Sequence, residues 1–273
     1  MAMDNITLTS GMRQNLFSLQ KTAKSMDLTT SRLASGKKVN SALDDPIAFF
    51  AAQSHTQRAG DLAIRKDEMS EAIQTIKTAD NGITAVLDLI ASAKSLAQSA
   101  LAESDAAVRL TLSEQYDEII TQIGTVVDDS NYKGTNLLGG TTEFLTVTFD
   151  EDGDSQLTVG GIAGNGGLTD ASQGAWAAAD FSDVNADIAL LDQARIDLRA
   201  DATGLSNQLS TITIRQDFTD QMINTLEDGA ANLTNADLNE EGANLLMLQT
   251  RQQLGTTSLS MASQAAQSIL RLF

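Results

Sequence analysis

The chain offers few side chains whose type and spacing could do chemistry. It has one histidine, His55, and no cysteine among its 273 residues. A zinc site of the HExxH kind needs two histidines, while disulfides, thiolate metal sites and thiol catalysis all need cysteine. The acidic pairs Asp128–Asp129 and Glu240–Glu241 suit helix ends better than acid–base catalysis. The sequence therefore predicts no enzyme, no cofactor and no metal site, and we interpret His55 as a helix-surface or contact residue.

Two loop-like stretches resemble ion or phosphate sites but lack residues that such sites need. Residues 150–154, DEDGD, alternate aspartates as a calcium loop does. The glycine is misplaced for an EF-hand, however, and the twelfth position counted from Asp150 is Gly161 instead of glutamate. Residues 160–170, GGIAGNGGLTD, do not contain GxGxxG. We therefore predict a hairpin turn at the first stretch and an ordinary loop at the second.

The net charge of −18 is concentrated in the middle of the chain. Residues 61–243 hold nine basic and 32 acidic residues, whereas residues 1–60 and 244–273 are mildly basic. An acidic body repels phosphates, which argues against a nucleic-acid partner. No stretch reaches 18 uncharged apolar residues, so no membrane insertion is predicted. The N-terminus lacks the charged and apolar regions of a cleavable signal peptide, so export is expected to use another route.

Long helices are the elements that the sequence predicts most strongly. Apolar residues recur at alternating steps of three and four, which is typical of helices packed side by side in bundles and coiled coils. One stretch, 59–101, would span roughly 60 Å at the helical rise per residue and needs partner helices along its length. We therefore predict a mainly α fold, a long antiparallel coiled-coil or bundle rod built from the N- and C-terminal halves. The periodic stretches lie at 12–33, 69–101, 105–128, 184–233 and 245–273.

A stretch of different character separates the two helical halves. Residues 129–140 are rich in turn-forming residues. Residues 141–162 alternate apolar and polar side chains around an acidic turn, which predicts a β-hairpin. Residues 160–180 are mostly Gly, Ala, Asn and Asp and are typical of a loop. The sequence thus predicts a small β-containing insert between the helical halves.

The stretch GKKVNSALDDPIAFF (36–50) contains Pro46, the only proline of the chain. Proline has no N–H and a fixed φ, so it fits the first turn of a helix. Asp44 or Asp45 would then cap the N–H groups that have no partner in that turn. We therefore predict that one helix ends near Gly36 and that another begins near Pro46.

Three ordered blocks of this sequence resemble bacterial flagellin, the subunit of the flagellar filament. SRLASGKKVNSALDDPIAFFAAQ (31–53) is similar to the family pattern RLSSG-x-RINSA-x-DDAAGLAIA. NYKGTNLLGG (131–140) resembles the family's FNGTNLL turn, and residues 237–273, which end in SILRLF, resemble its C-terminal stretch. The resemblance covers about the first 140 and the last 90 residues and leaves out the insert.

The resemblance implies a structural subunit that self-assembles into the extracellular filament used for motility. It implies an inner assembly domain (1–43 and 236–273), a helical rod domain (44–140 and 180–235) and a surface insert (141–179). The joint between inner and outer layers would lie at Gly36, Asp44, Asp45 and Pro46. The self-assembly residues would be Leu16, Leu19, Met26, Leu33, Leu245, Leu248, Leu259, Ile269, Leu270 and Phe273.

The partners implied by the resemblance are other copies of the chain and the flagellar machinery. Copies would form a homopolymer. An export chaperone and the flagellar type III export apparatus would handle the unfolded chain. The filament cap and the hook-associated proteins would meet it at the site of assembly.

Two alternative functions remain open on the sequence. The first is a hook–filament junction protein, which shares similar ends but does not polymerise along a filament. The second, of a different class, is a secreted helical adhesin or binding protein whose insert holds the ligand.

Overall fold

The computed structural model describes residues 10–168, 175–177 and 181–270. The mainly α fold is confirmed, and a small antiparallel hairpin lies between the helical halves as predicted. The described elements are α1 (Ser10–Ser35), α2 (Pro46–Ala102), α3 (Ala106–Asp129), β1 (Phe144–Thr148), β2 (Gln156–Gly160), a short 3-10 turn (Ala175–Ala177), α4 (Ser182–Thr234) and α5 (Leu238–Leu270).

The boundary between α1 and α2 lies where the sequence predicts it. Helix α1 ends before Gly36, whose φ of 69° is costly for residues other than glycine. The Gly36 N–H still bonds to the carbonyl of Arg32 at 2.8 Å. Pro46 opens α2, and Oδ1 of Asp45 accepts the N–H groups of Ile47 and Ala48 at 3.0 Å each. The aspartate is therefore the N-cap of the longest helix.

The described chain forms two compact units, and each combines an early and a late segment. The described residues within Met1–Gln57 and Leu226–Phe273 form the terminal unit, and those within Arg58–Thr225 form the central unit. Within the terminal unit, the chain after α1 pairs with the end of α4, since the Lys38 N–H bonds to Thr234 O at 2.7 Å. The start of α2 groups with this unit. The three-part division expected from the family, with its boundaries at 43, 140, 179 and 235, stays a prediction.

The central unit holds the main hydrophobic core. Helices α2 and α4 run antiparallel there, as the ion pairs Lys66–Asp220 (2.6 Å) and Lys94–Asp192 (2.5 Å) show. Helix α3 and the hairpin complete the core. Its largest fully buried side chains are Trp176, Tyr116, Met69, Ile76, Ile83, Ile90, Ile123, Leu137, Leu138, Leu191, Leu198 and Ile212.

The hairpin turn at DEDGD is confirmed. Strands β1 and β2 pair in register from Phe144↔Gly160 to Thr148↔Gln156. The two carboxylate oxygens of Asp150 accept the N–H groups of Gly153 and Ser155 at 2.9 and 3.0 Å. The first aspartate of the acidic run therefore closes a turn.

Candidate functional site

Helices α1 and α5 pair antiparallel in the terminal unit. Near one end, Nδ2 of Asn15 reaches the carbonyl of Gly255 at 3.5 Å, and near the other, Nη1 of Arg32 lies 2.9 Å from Oε1 of Glu241. One turn along α1 from Asn15, Leu19 packs on the same Gly255 so closely that a Cβ on residue 255 would lie 2.6 Å from Cδ2 of Leu19. Glycine at this point lets the two helices approach, although it interrupts the apolar pattern of α5.

The self-assembly residues expected from the family lie largely along this pair. Leu19, Met26, Leu33, Leu245 and Leu259 are half-buried, and Leu248 is buried. Leu16 is more open, with 39% of its surface exposed. Phe273 lies outside the described residues, as do the side chains of Ile269 and Leu270.

Two threonines and one ion pair interrupt the apolar seam between α1 and α5. Thr22 and Thr29 are 5% and 6% exposed, and the Thr22 hydroxyl donates to its own helix at Ser18 O. The Glu241 carboxylate, 10% exposed, is paired with Arg32. Glu240 and Glu241 lie in the first turn of α5, as the helix-end interpretation predicted. Glu241 also fixes how α5 meets the end of α1.

Helix α5 carries a second row of apolar residues that the sequence interpretation missed. Met247, Leu254 and Met261 are spaced by seven, and 51%, 66% and 60% of their surfaces are exposed. Met247 and Leu254 each lie one residue before a position of α5 that faces α1 (Leu248 and Gly255), and Met261 lies two residues after Leu259. These offsets place the second row on a different face of the helix. Residues 242–270 contain no acidic residue and a single basic one, Arg251. The seven-residue spacing was the available signal, but the stronger seam pattern obscured it.

The predicted joint is an ordered turn stabilised by Asp44. Oδ2 of Asp44 accepts the N–H groups of Asn40 and Ser41 at 3.0 Å each, and the Ser41 hydroxyl at 3.2 Å. These backbone N–H groups, that of Asn40 first, hold the pKa of the Asp44 carboxyl below its usual value. The turn is therefore held by polar contacts, while Leu43 within it is 96% exposed.

A polar cavity of about 560 Å³ lies beside this turn in the terminal unit. Asp44, Asp45 and Glu240 line it together with Arg32 and Lys38. Of these carboxylates, Asp44 already binds N–H groups of the turn and Asp45 already caps α2. Among the described residues, no group of three or more histidine and carboxylate side chains is arranged to hold a metal ion.

The single histidine of the chain lies where two helices of the terminal unit meet. His55 is half-buried on α2, next to Gly229 of α4, in agreement with its interpretation as a contact residue. In the part of the chain that the structure describes, no helix is both long and apolar enough to cross a bilayer.

Comparisons with known proteins point in one direction. The N-terminal helical region of bacterial flagellin matches residues 7–143. Flagellin FljM of Caulobacter vibrioides is 31% identical over an alignment that spans all of both chains, and a flagellin of Brucella melitensis is 27% identical over 99% of each. The crystal structure of Bacillus cereus flagellin superposes with a TM-score of 0.47 at 17% identity, covering 56% of this chain and 88% of that one.

The family match and the names of the Caulobacter and Brucella relatives favour the filament subunit over a hook–filament junction protein or an adhesin. The matched region takes up half of the chain, and the similarity to FljM extends over its full length. The chain belongs to the bacterial flagellin family, and it is a structural subunit that polymerises with other flagellin subunits into the flagellar filament.

Proposed function

We propose that the paired helices α1 and α5 are the surface through which copies of this flagellin polymerise outside the cell. The observation that carries the proposal is the second apolar row of α5. The first row, with Leu19 on Gly255, is used within one copy. Met247, Leu254 and Met261 remain exposed on another face and are available to a neighbouring copy.

The charge distribution supports α5 as the helix through which neighbouring copies contact each other. The central unit holds ten basic and 27 acidic residues, so two central units repel each other. Residues 242–270 carry only Arg251. Helices of this composition approach one another without like-charge repulsion, and each apolar side chain that becomes buried contributes about 1.5–3 kcal/mol.

The same proposal assigns roles to the residues expected from the family. Leu16, Leu19, Met26 and Leu33 with Leu245, Leu248, Leu259 and Ile269 would form the inner layer, and Leu270 and Phe273 would extend it. Gly36, Asp44, Asp45 and Pro46 would set the direction in which the chain leaves that layer.

The partners outside the polymer follow from family membership. The chain would pass unfolded through the flagellar type III export apparatus with an export chaperone. It would then meet the filament cap and hook-associated proteins during assembly. Its work would be structural, without a catalysed reaction.

Seeded growth of purified chain tests the proposed surface. We expect the variant Met247→Ser, Leu254→Ser, Met261→Ser to elongate filament seeds at least tenfold more slowly than the unsubstituted chain. A matched control replaces three exposed residues of the central unit, Ile64, Ile196 and Ile214, by serine. Equal loss of growth in both variants, or none in the α5 variant, would contradict the proposal.

A further inference from the structure

The two methionines most open to solvent both lie in the second apolar row of α5. The chain has no cysteine, so its methionines carry all of its sulfur. Among the methionines that the structure describes, only Met247 and Met261 are more than half exposed, at 51% and 60%. Leu254 lies midway between them. The accessible thioethers therefore coincide with the row through which copies are proposed to meet.

The other described methionines are enclosed to different degrees. Met69 is fully buried in the core of the central unit. Met222 is half-buried and lines a cavity of about 120 Å³ beside the hairpin turn. Met12 and Met26 on α1 are also half-buried. Because an oxidant must touch the sulfur atom to react with it, an oxidant in solution reaches the two methionines of α5 before the others.

We propose that Met247 and Met261 are an oxidation site at which a peroxide, hydrogen peroxide being the simplest, blocks assembly of the chain. This inference rests on the proposed polymerisation through α5. A lone pair of the thioether sulfur attacks one peroxide oxygen, and the O–O bond breaks as the S–O bond forms. The proton on the transferred oxygen passes to the departing hydroxide, which leaves as water. The sulfur is oxidised by two electrons to the sulfoxide, and the peroxide is reduced by the same two.

Oxidation changes the polarity of the second row at two of its three positions. The sulfoxide is polar where the thioether is apolar, and this change disrupts interfaces that contain methionine. A sulfoxide covered by a neighbouring copy loses its hydrogen bonds to water, and burial of a polar group without a replacement is unfavourable. The oxidised row therefore contributes much less to the contact between copies, with Leu254 alone unchanged.

Assembly and oxidation compete for the same side chains. A thioether that a neighbouring copy covers is shielded from peroxide, whereas that of a free chain is not. Free chains are therefore the sensitive form, and chains inside a filament are the protected one. Methionine sulfoxide reductases convert the sulfoxide back to the thioether, one enzyme for each epimer. The block is therefore expected to be reversible.

Mass spectrometry of peptides from peroxide-treated, full-length chain tests the selectivity. In the folded free chain, Met247 and Met261 should gain one oxygen about tenfold faster than Met69 and Met222. In filaments of the unsubstituted chain the same two residues should react about tenfold more slowly than in the free chain. Equal rates for all four methionines of the free chain would overturn the inference. Filaments that leave Met247 and Met261 fully reactive would instead contradict the proposed function, because the row would then not be covered.

Seeded growth tests the effect on assembly. Peroxide treatment of the unsubstituted chain should raise the critical concentration for growth about tenfold, equivalent to about 1.4 kcal/mol, and the reductases should restore the original value. The variant Met247→Leu, Met261→Leu keeps an apolar row without sulfur and should grow equally well before and after treatment. Met222→Leu is the matched control, and it should lose growth on treatment as the unsubstituted chain does.

Two outcomes would overturn the inference while leaving the proposed function intact. The first is unchanged growth of the unsubstituted chain after both methionines of α5 have been oxidised. The second is a loss of growth in the leucine variant as large as that of the treated unsubstituted chain, with helical content retained by circular dichroism. Untreated, unsubstituted chain that forms no filaments would refute the proposed function itself.

Discussion

Two glycines inside long helices show how single residues decide the packing of this protein. A Cβ on Gly82 would lie 2.3 Å from Oγ of Ser130 and 2.6 Å from Cδ1 of Leu138. Gly82 thus lets the loop after α3 pack directly on α2. Gly255 does the same for Leu19 in the terminal unit. Glycine lowers helix propensity at both positions, and the close contacts are the reason it is there.

Gly82→Ala therefore should destabilise the central unit although alanine is the better helix former. We expect a loss of about 1–3 kcal/mol from overpacking, larger than the gain in propensity. Gly60→Ala, on the same helix with open space at the Cβ position, should stabilise by roughly 0.5–1 kcal/mol. Urea unfolding of both variants measures the difference, and a stabilised Gly82 variant would contradict the packing described.

Asp44 gives the turn before α2 a defined pH dependence. Because N–H groups of the folded turn lower its pKa, its contribution to stability is present in full above about pH 4, where the unfolded aspartate is ionised. The contribution disappears as the pH falls through the lower folded pKa. The free energies of unfolding of the unsubstituted chain and of Asp44→Asn in urea should differ at pH 6, and the difference should be smaller at pH 2. A difference that is the same at both pH values would contradict this role.

One buried arginine holds the 3-10 turn before α4 onto α3. Arg109 is 4% exposed, and its Nε and Nη2 donate to the carbonyls of Trp176 and Ala177 at 2.8 and 3.0 Å. Nη1 binds the carbonyls of Glu103 and Ser104 in the loop before α3. Trp176 packs on Tyr116 with ring centroids 5.0 Å apart. The arginine thus satisfies backbone groups from two connections at once.

Arg109→Met should release the turn while keeping the apolar stem. We expect a loss of about 2–3 kcal/mol, because buried carbonyls are left without donors. The emission of Trp176, the only tryptophan of the chain, should shift to longer wavelength as its ring gains water. Arg199→Met, at an exposed position of α4, is the control and should change neither stability nor emission. Unaltered emission in the Arg109 variant would show that the turn is held by other contacts.

The sequence was sufficient for elements whose signal is local and insufficient for contacts between distant segments. Heptad spacing predicts the helices, Asp45–Pro46 predicts the start of α2, and alternation predicts the hairpin. The role of Arg109 could not be predicted, because its hydrogen-bond partners lie in two loops near residues 103 and 176 and leave no periodic pattern in the sequence. Met247, Leu254 and Met261 were missed because one helix carries two apolar rows, and the more continuous row dominates the pattern.

The negative charge of the molecule is concentrated in the central unit, and the terminal unit is nearly neutral. The central unit has 17 more acidic than basic residues, whereas residues 1–57 and 226–273 hold eight basic and nine acidic ones. A polymer brings many acidic central units together, and their repulsion is screened by salt within a Debye length of about 10 Å at 0.1 M. Assembly is therefore expected to depend on the ionic medium.

Seeded growth should accelerate as sodium chloride rises from low to physiological concentration. Between about 10 and 150 mM salt the Debye length falls from roughly 30 to 8 Å, so repulsion between copies weakens. Light scattering at several salt concentrations measures the rate. A rate that falls with salt would mean that attraction between opposite charges outweighs the repulsion between acidic units.

Growth of seeds by a chain lacking residues 244–273 tests whether polymerisation requires α5. The full chain should elongate seeds, as seen by light scattering and electron microscopy. The truncated chain should not, because it lacks both the α1 seam partners and the second row of α5. Its Trp176 emission should stay that of the intact central unit, which shows that the loss is one of assembly. Normal elongation by the truncated chain would show that copies polymerise without α5.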